Sequence, residues 1–137
     1  MKLIRAAEFS IVFTTGFVLY PLLERIFKGS THWSMAVAGG LCLAIVYLLS
    51  TRAPLSLWLN CLAGALAITA VEFIAGCAVN LWAGWNVWSY AREPLNLLGQ
   101  VCVKFTFLWY ALCIPLTLLS RRVYGLLFAP ETKRGPA

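Results

Sequence analysis

The chain has 137 residues, of which 61% are hydrophobic and only 12% charged, with a formal net charge of +6. That charged share is about half of what a soluble domain usually carries, which excludes an ordinary water-soluble fold. Apolar runs separated by short charged punctuation instead predict about four helices, each long enough or nearly so for a hydrocarbon layer of roughly 30 Å. The expected fold class is all-α, a polytopic transmembrane helix bundle forming one domain over residues 1–129, with a short disordered tail over 130–137.

Lys2 and Arg5 precede the first apolar run. Ala6 and Ala7 lie ahead of that run and no small-residue cleavage site follows it, so the segment reads as a retained helix and not as a signal peptide. This helix is expected over 8–27, with Gly16, Tyr20 and Glu24 on one face and a kink near Pro21. Glu24, beside Arg25 and Lys28, would sit near an interface. After a turn at 29–33, the second helix is expected over 34–50, where Ala36, Gly40 and Ala44 form a small-residue stripe that lets helices approach closely. Another turn at 51–53 leads to Pro54, which is expected to open the third helix at a position where its missing N–H costs nothing. That helix runs to Asn80. Gly64, Ile68, Glu72, Gly76 and Asn80 share one face, which turns Glu72 toward neighbouring helices and away from lipid.

Residues 81–94 form an aromatic loop that is too polar and too broken to span. Its Trp82, Trp85 and Trp88 fit a belt at headgroup level or a lid over the mouth of the bundle. Pro94 is expected to start the fourth helix, which continues to Ser120 with a second kink at Pro115. On this helix Asn96, Gln100 and Lys104 would repeat every four residues as one polar stripe. Arg121 and Arg122 end the span, and residues 123–129 are expected along the membrane surface.

The basic residues set an orientation. Lys2, Arg5, Arg52, Arg121, Arg122, Lys133 and Arg134 fall on one side, against Arg25, Lys28 and Arg92 on the other. The positive-inside rule then places both termini in the cytoplasm, and the plasma (inner) membrane is the expected location. Topology and attraction to anionic lipid account for the positive charge, so no nucleic-acid partner is expected. Cys42, Cys61, Cys77, Cys102 and Cys113 all fall in the predicted spans; with no C-x-x-C pair and an odd count, they read as small apolar helix residues. His32 is the only histidine, and without a ligand cluster no zinc, haem or other cofactor is expected. No G-x-x-x-x-G-K-[ST] loop is present, so ATP hydrolysis by that route would need a separate ATPase. Gly16 precedes Glu24 by eight residues, as Gly64 precedes Glu72, a spacing that either a duplicated two-helix unit or coincidence would give.

A carboxylate inside an apolar helix is costly in lipid, which makes it a functional candidate by default. The candidate ligand-binding set is Glu24, Glu72, Asn80, Trp88, Tyr90, Asn96, Gln100 and Lys104. Each also has a structural reading. Glu72 and Lys104 would neutralise each other as an ion pair holding the third and fourth helices in register, or Glu72 would bind a proton or cation. Asn80 and Asn96 would cap helices and bond between them, and the tryptophans would anchor at the interface or form an aromatic cage for a cation.

The segment Glu72-Phe73-x-x-Gly76, then Val87-Trp88-Ser89-Tyr90-Ala91, then Pro94-Leu95-Asn96-Leu97-Leu98-Gly99-Gln100-Val101-Cys102, followed by Trp109, resembles the ABC-transporter type IV membrane protein family. The resemblance covers most of the second half, with Glu24 and Gly39-Gly40 matching more loosely. The family's usual core reads Trp-Asp-Tyr-Ser. Ser89 stands where the aspartate is expected and Ala91 where the serine is, so a role depending on that acid is absent or altered here. A polar cluster from helices 1, 3 and 4 converging under the aromatic loop, together with this resemblance, favours a transporter or a solute- or ion-binding membrane component, permease-like, working with a separate ATPase or another membrane-protein partner; no catalytic residues are expected. A structural or assembly subunit is the alternative. A lipid-modifying enzyme with Glu72 as acid or base ranks third, because no nucleophile-base pair or metal motif supports it. Four helices are few for a complete pore, so transport also suggests a homo-oligomer in the lipid bilayer.

Overall fold

The computed structural model describes residues 2–133. Four helices cross the molecule: α1 (Lys2–Lys28), α2 (Trp33–Arg52), α3 (Leu57–Gly76) and α4 (Val103–Val123). Each belongs to a helical stretch long and apolar enough to cross a membrane. This all-α bundle agrees with the expected fold class. The helices are apolar around most of their circumference, as spans must be where the bilayer and not water is the solvent.

The helix starts follow local chemistry. Nothing between Lys2 and Glu8 breaks a helix, so α1 begins six residues before the expected start at Glu8. Pro21 and Pro115 lie inside α1 and α4, and both helices continue through them. His32 caps α2, its ring Nδ1 accepting from the Ser34 amide at 3.2 Å. Pro54 does not open α3. It stays in an extended connection, and Ser56 caps the helix by accepting from the Leu59 amide at 3.5 Å. Beyond Gly76 the third helix widens into a π-helical segment, Cys77–Trp82, in which the Ala83 amide reaches back to the Ala78 carbonyl at 2.9 Å. A similar segment, Tyr124–Phe128, ends α4. The tail expected to be disordered holds a short 3-10 turn, Glu131–Lys133, and residues 134–137 lie outside the described residues.

The largest departure from the sequence reading is the start of α4. Pro94 sits in a turn, and the chain forms a small hairpin, β1 (Asn96–Leu97) against β2 (Val101–Cys102), before the helix begins at Val103. Helical geometry is impossible through this stretch because Leu95 (φ 54°), Leu98 (φ 52°) and Gly99 (φ 70°) are left-handed. Asn96 holds the turn: its amide donates to the Glu93 carbonyl at 2.8 Å, and its oxygen accepts from the Gly99 amide at 3.0 Å. A short polar side chain has outcompeted the helix for the local backbone groups. The expected helical stripe of Asn96, Gln100 and Lys104 therefore does not exist, and Cys102 precedes the span instead of lying within it.

Packing centres on α2. α1 lies along one side of it, while α3 and α4 pair with each other and close on the other side. Small residues set the α1–α2 distance, as the stripe implied, since Ala36, Gly40 and Ala44 are all buried. A Cβ added to Gly16 would lie 2.5 Å from the Gly39 carbonyl oxygen, and one on Gly40 would lie 2.9 Å from the Phe13 carbonyl oxygen. Backbones in contact at this range tolerate only glycine. Between α2, α3 and α4 a compact core of Val46, Cys61, Ile68 and Cys113 fills the seam.

Candidate functional site

Because α1 packs on α2 and not on α4, a cleft is left between α1 and α4, floored by α2 and α3. Its volume is about 170 Å³. Gly16, Leu19, Tyr20 and Leu23 form one wall, Trp109, Leu112 and Leu116 the other, with Gly39, Cys42, Ile68 and Glu72 below. Leu19, Leu23 and Leu112 line it while remaining roughly half exposed, so the mouth opens on the flank of the bundle that meets lipid.

Glu72 is the only ionisable carboxyl or basic side chain among the lining residues, and it is just 7% exposed. Its face of α3 was read correctly: Gly64, Ile68, Glu72 and Gly76 are all buried, and Asn80 continues the face into the π-helical segment. One carboxylate oxygen, Oε2, accepts from the Trp109 indole N–H at 3.2 Å. The other has no hydrogen-bond partner among the described residues. Of the two readings of Glu72, the ion pair with Lys104 is absent. Lys104 instead pairs with Glu93 at 3.5 Å outside the bundle, because the hairpin delays the start of α4 and leaves Lys104 on its first, exposed turn. No cation bridges to Glu72 among the described residues.

Only Glu72 and Trp88 of the sequence-derived candidates line the cleft. Trp88 reaches it from the aromatic loop, anchored by its indole N–H to the Gln100 carbonyl at 3.1 Å. Asn80 and Gln100 are buried beside it as a latch: the Asn80 amide donates to Gln100 Oε1 at 2.8 Å, and Asn80 Oδ1 accepts from the Val87 amide at 2.6 Å. The Gln100 side chain seats against Gly76, where an added Cβ would lie 2.6 Å from its Oε1. Asn80 is buried within the π-helical segment, and its two bonds pin the loop over α3. Tyr90 lies against Phe105 with ring centroids 4.8 Å apart and planes tilted by 32°, and burial pushes its phenol well above the ordinary tyrosine value, so it stays neutral. Asn96 belongs to the hairpin. Glu24 binds Lys28 at 3.1 Å and the Thr31 hydroxyl at 3.0 Å, away from the cleft.

The three loop tryptophans divide by environment. Trp82 is 89% exposed and Trp85 half exposed, and Trp85 gathers with His32 and Trp33 in an aromatic trio with centroids 5.4–5.6 Å apart. Among the described residues no cluster of three or more potential metal ligands occurs. The five cysteines are free.

Two polar groups escaped the sequence reading. Glu8, taken there only as the start of the first helix, is 3% exposed and joins α1 to α2, accepting from the Tyr47 hydroxyl at 2.6 Å and from Arg52 at 2.7 Å. Asn60 lies at the centre of the bundle and donates to Ser50 at 2.9 Å and Thr117 at 3.0 Å, tying α2, α3 and α4 together. A polar side chain within an apolar run was the available signal for both. The partners of Glu8 lie 39 and 44 residues away in sequence and those of Asn60 lie 10 and 57 away on other helices, which no local pattern reveals.

Four apolar spans and a buried carboxylate in a cleft on the lipid-facing flank define a small integral membrane protein. The chain belongs to the family described as "Putative ABC-transporter type IV", whose model matches residues 9–129. No curated protein and no solved structure matches it.

Proposed function

We infer that the protein is the membrane-embedded binding component of a transporter, and that its cleft takes an amphiphile with an apolar chain and a cationic or hydrogen-bond-donating head. One observation carries this reading: Glu72 faces an apolar cleft without a counter-cation among the described residues. A buried charge that served only to hold helices in register would be expected to keep its opposite charge beside it. The unused oxygen of Glu72 suits an ammonium or hydroxyl group, and the aliphatic walls suit the chain attached to it. Entry would be lateral, from the bilayer, past Leu19 and Leu112. The family membership supports a link to ABC transport, in which a separate ATPase would supply the energy.

The end carrying Lys2, Arg5, Arg52, Arg121 and Arg122 is proposed to face the cytoplasm, and the aromatic loop the opposite side. A structural or assembly role is the second reading, favoured by the Asn60 cluster and by the Thr69–Thr106 contact at 2.9 Å, which lock helices without touching the cleft.

A diazirine-bearing dodecylamine tests the two against each other. In nanodiscs, saturable cross-links should fall on Leu19, Leu23, Leu112 or Leu116, and Glu72→Gln should reduce them about tenfold or more, the loss expected for one hydrogen bond to a charged group. Glutamine can still accept from Trp109, so thermal stability should hold. Cross-links spread evenly around the bundle, or unchanged in Glu72→Gln, would favour the structural reading.

A further inference from the structure

At the opposite end of the bundle from the aromatic loop, α1 and α2 leave a second groove of about 290 Å³, lined by Arg5, Glu8, Phe9, Tyr47, Leu48 and Arg52. Its charges do not cancel. Both oxygens of Glu8 are occupied, one by the Tyr47 hydroxyl and the other by Arg52, so this carboxylate is matched one to one by the Arg52 guanidinium. Arg5 remains as a surplus cation with no ion pair among the described residues. Arg52 is held in place from two sides, by Glu8 at 2.7 Å and by the Tyr124 ring, whose centroid lies 5.1 Å from its Cζ. A guanidinium carries five N–H donors, and the contact with Glu8 uses one of its nitrogens, so a fixed fork is left for another acceptor. Phe9 and Leu48 also line the groove and are 44% and 39% exposed, which gives it an apolar border beside its charges.

We propose that this groove binds the phosphate group of an anionic phospholipid, with Arg5 and the preset Arg52 holding the phosphate and Phe9 and Leu48 bordering the first part of an acyl chain. An ion pair between helices needs neither a third charge nor an open groove with apolar walls. A lipid phosphate with its acyl chain makes use of all of these. The site is separate from the Glu72 cleft, and it does not depend on how that cleft is read. The shared chemistry is a phosphate anion, and a soluble phosphate is the competing source.

The test is native mass spectrometry of the full-length protein released from nanodiscs containing equal amounts of phosphatidylglycerol and phosphatidylcholine with identical chains. The wild type should retain phosphatidylglycerol in preference, because no choline cation offsets its phosphate charge, and Arg5→Gln, which removes the surplus positive charge of the groove, should lower that preference about fivefold. Thermal stability should be unchanged in this variant, since Arg5 is exposed. Lys2→Gln, which removes a neighbouring charge outside the groove lining, should leave the preference intact. Equal retention of the two lipids, or equal effects of Arg5→Gln and Lys2→Gln, would overturn the proposal. So would displacement of the bound lipid by millimolar inorganic phosphate, which would assign the site to a free anion.

Discussion

Replacing Gly39 with leucine should separate α1 from α2 and abolish the amphiphile cleft. Gly39 packs directly on Tyr20, and its carbonyl meets Gly16 where no Cβ fits, so a leucine has no space to enter without moving a helix. Overpacking a well-filled contact ordinarily costs about 1–3 kcal/mol, and a backbone-to-backbone contact belongs at the upper end. The consequence for the site is larger than the energy suggests. α1 supplies Gly16, Leu19, Tyr20 and Leu23 to the cleft and packs chiefly on α2, so displacing it removes one whole wall. Thermal unfolding in detergent should show a clear loss of stability, and the dodecylamine probe should no longer cross-link saturably. Wild-type behaviour in both assays would mean that the helices are not packed as described.

The second large effect is expected at Glu8. Glu8→Ala leaves the Arg52 guanidinium without its carboxylate and the Tyr47 hydroxyl without its acceptor, both at the α1–α2 contact. Breaking a buried pair on one side costs about 3–5 kcal/mol, and the partial exposure of Arg52 places this case near the lower figure. Removing both charges together, as Glu8→Leu with Arg52→Leu, should restore much of the loss, because no uncompensated ion remains. Chemical or thermal unfolding of the single and double variants checks this. A single variant as stable as the wild type would show that the pair does not hold α1 in place.

The sequence made the spans legible because membrane burial imposes a long uniform signal, about 20 apolar residues for each crossing. The small residues of α2 and the inward face of α3 were readable for a related reason: helical spacing alone decides which residues share a side. What failed was local competition. Pro94 is a standard helix opener, but the Asn96 side chain satisfies the Glu93 carbonyl and the Gly99 amide, and left-handed Leu95 and Leu98 turn the chain into a hairpin. That single misreading moved Lys104 onto the wrong surface and created an ion pair with Glu72 that the structure lacks. Its correction leaves a buried carboxylate with an indole as its partner, a stronger reason to look for a ligand than the sequence supplied. Glu8, Asn60 and the latch between Asn80 and Gln100 depend on contacts between elements across 10 to 57 residues, where periodicity carries no information.

The most direct test of a carboxylate lying in a cleft open to lipid is its reaction with carbodiimides of opposite solubility, mapped by peptide mass spectrometry on protein in nanodiscs. Dicyclohexylcarbodiimide, which partitions into the bilayer, should modify Glu72 and be blocked by excess dodecyltrimethylammonium, which has no N–H to capture the activated carboxyl, while a water-soluble carbodiimide should leave Glu72 untouched. A Glu72 that resists the lipophilic reagent, or that reacts as readily with the water-soluble one, would contradict the placement of its carboxylate in a cleft reached from the membrane.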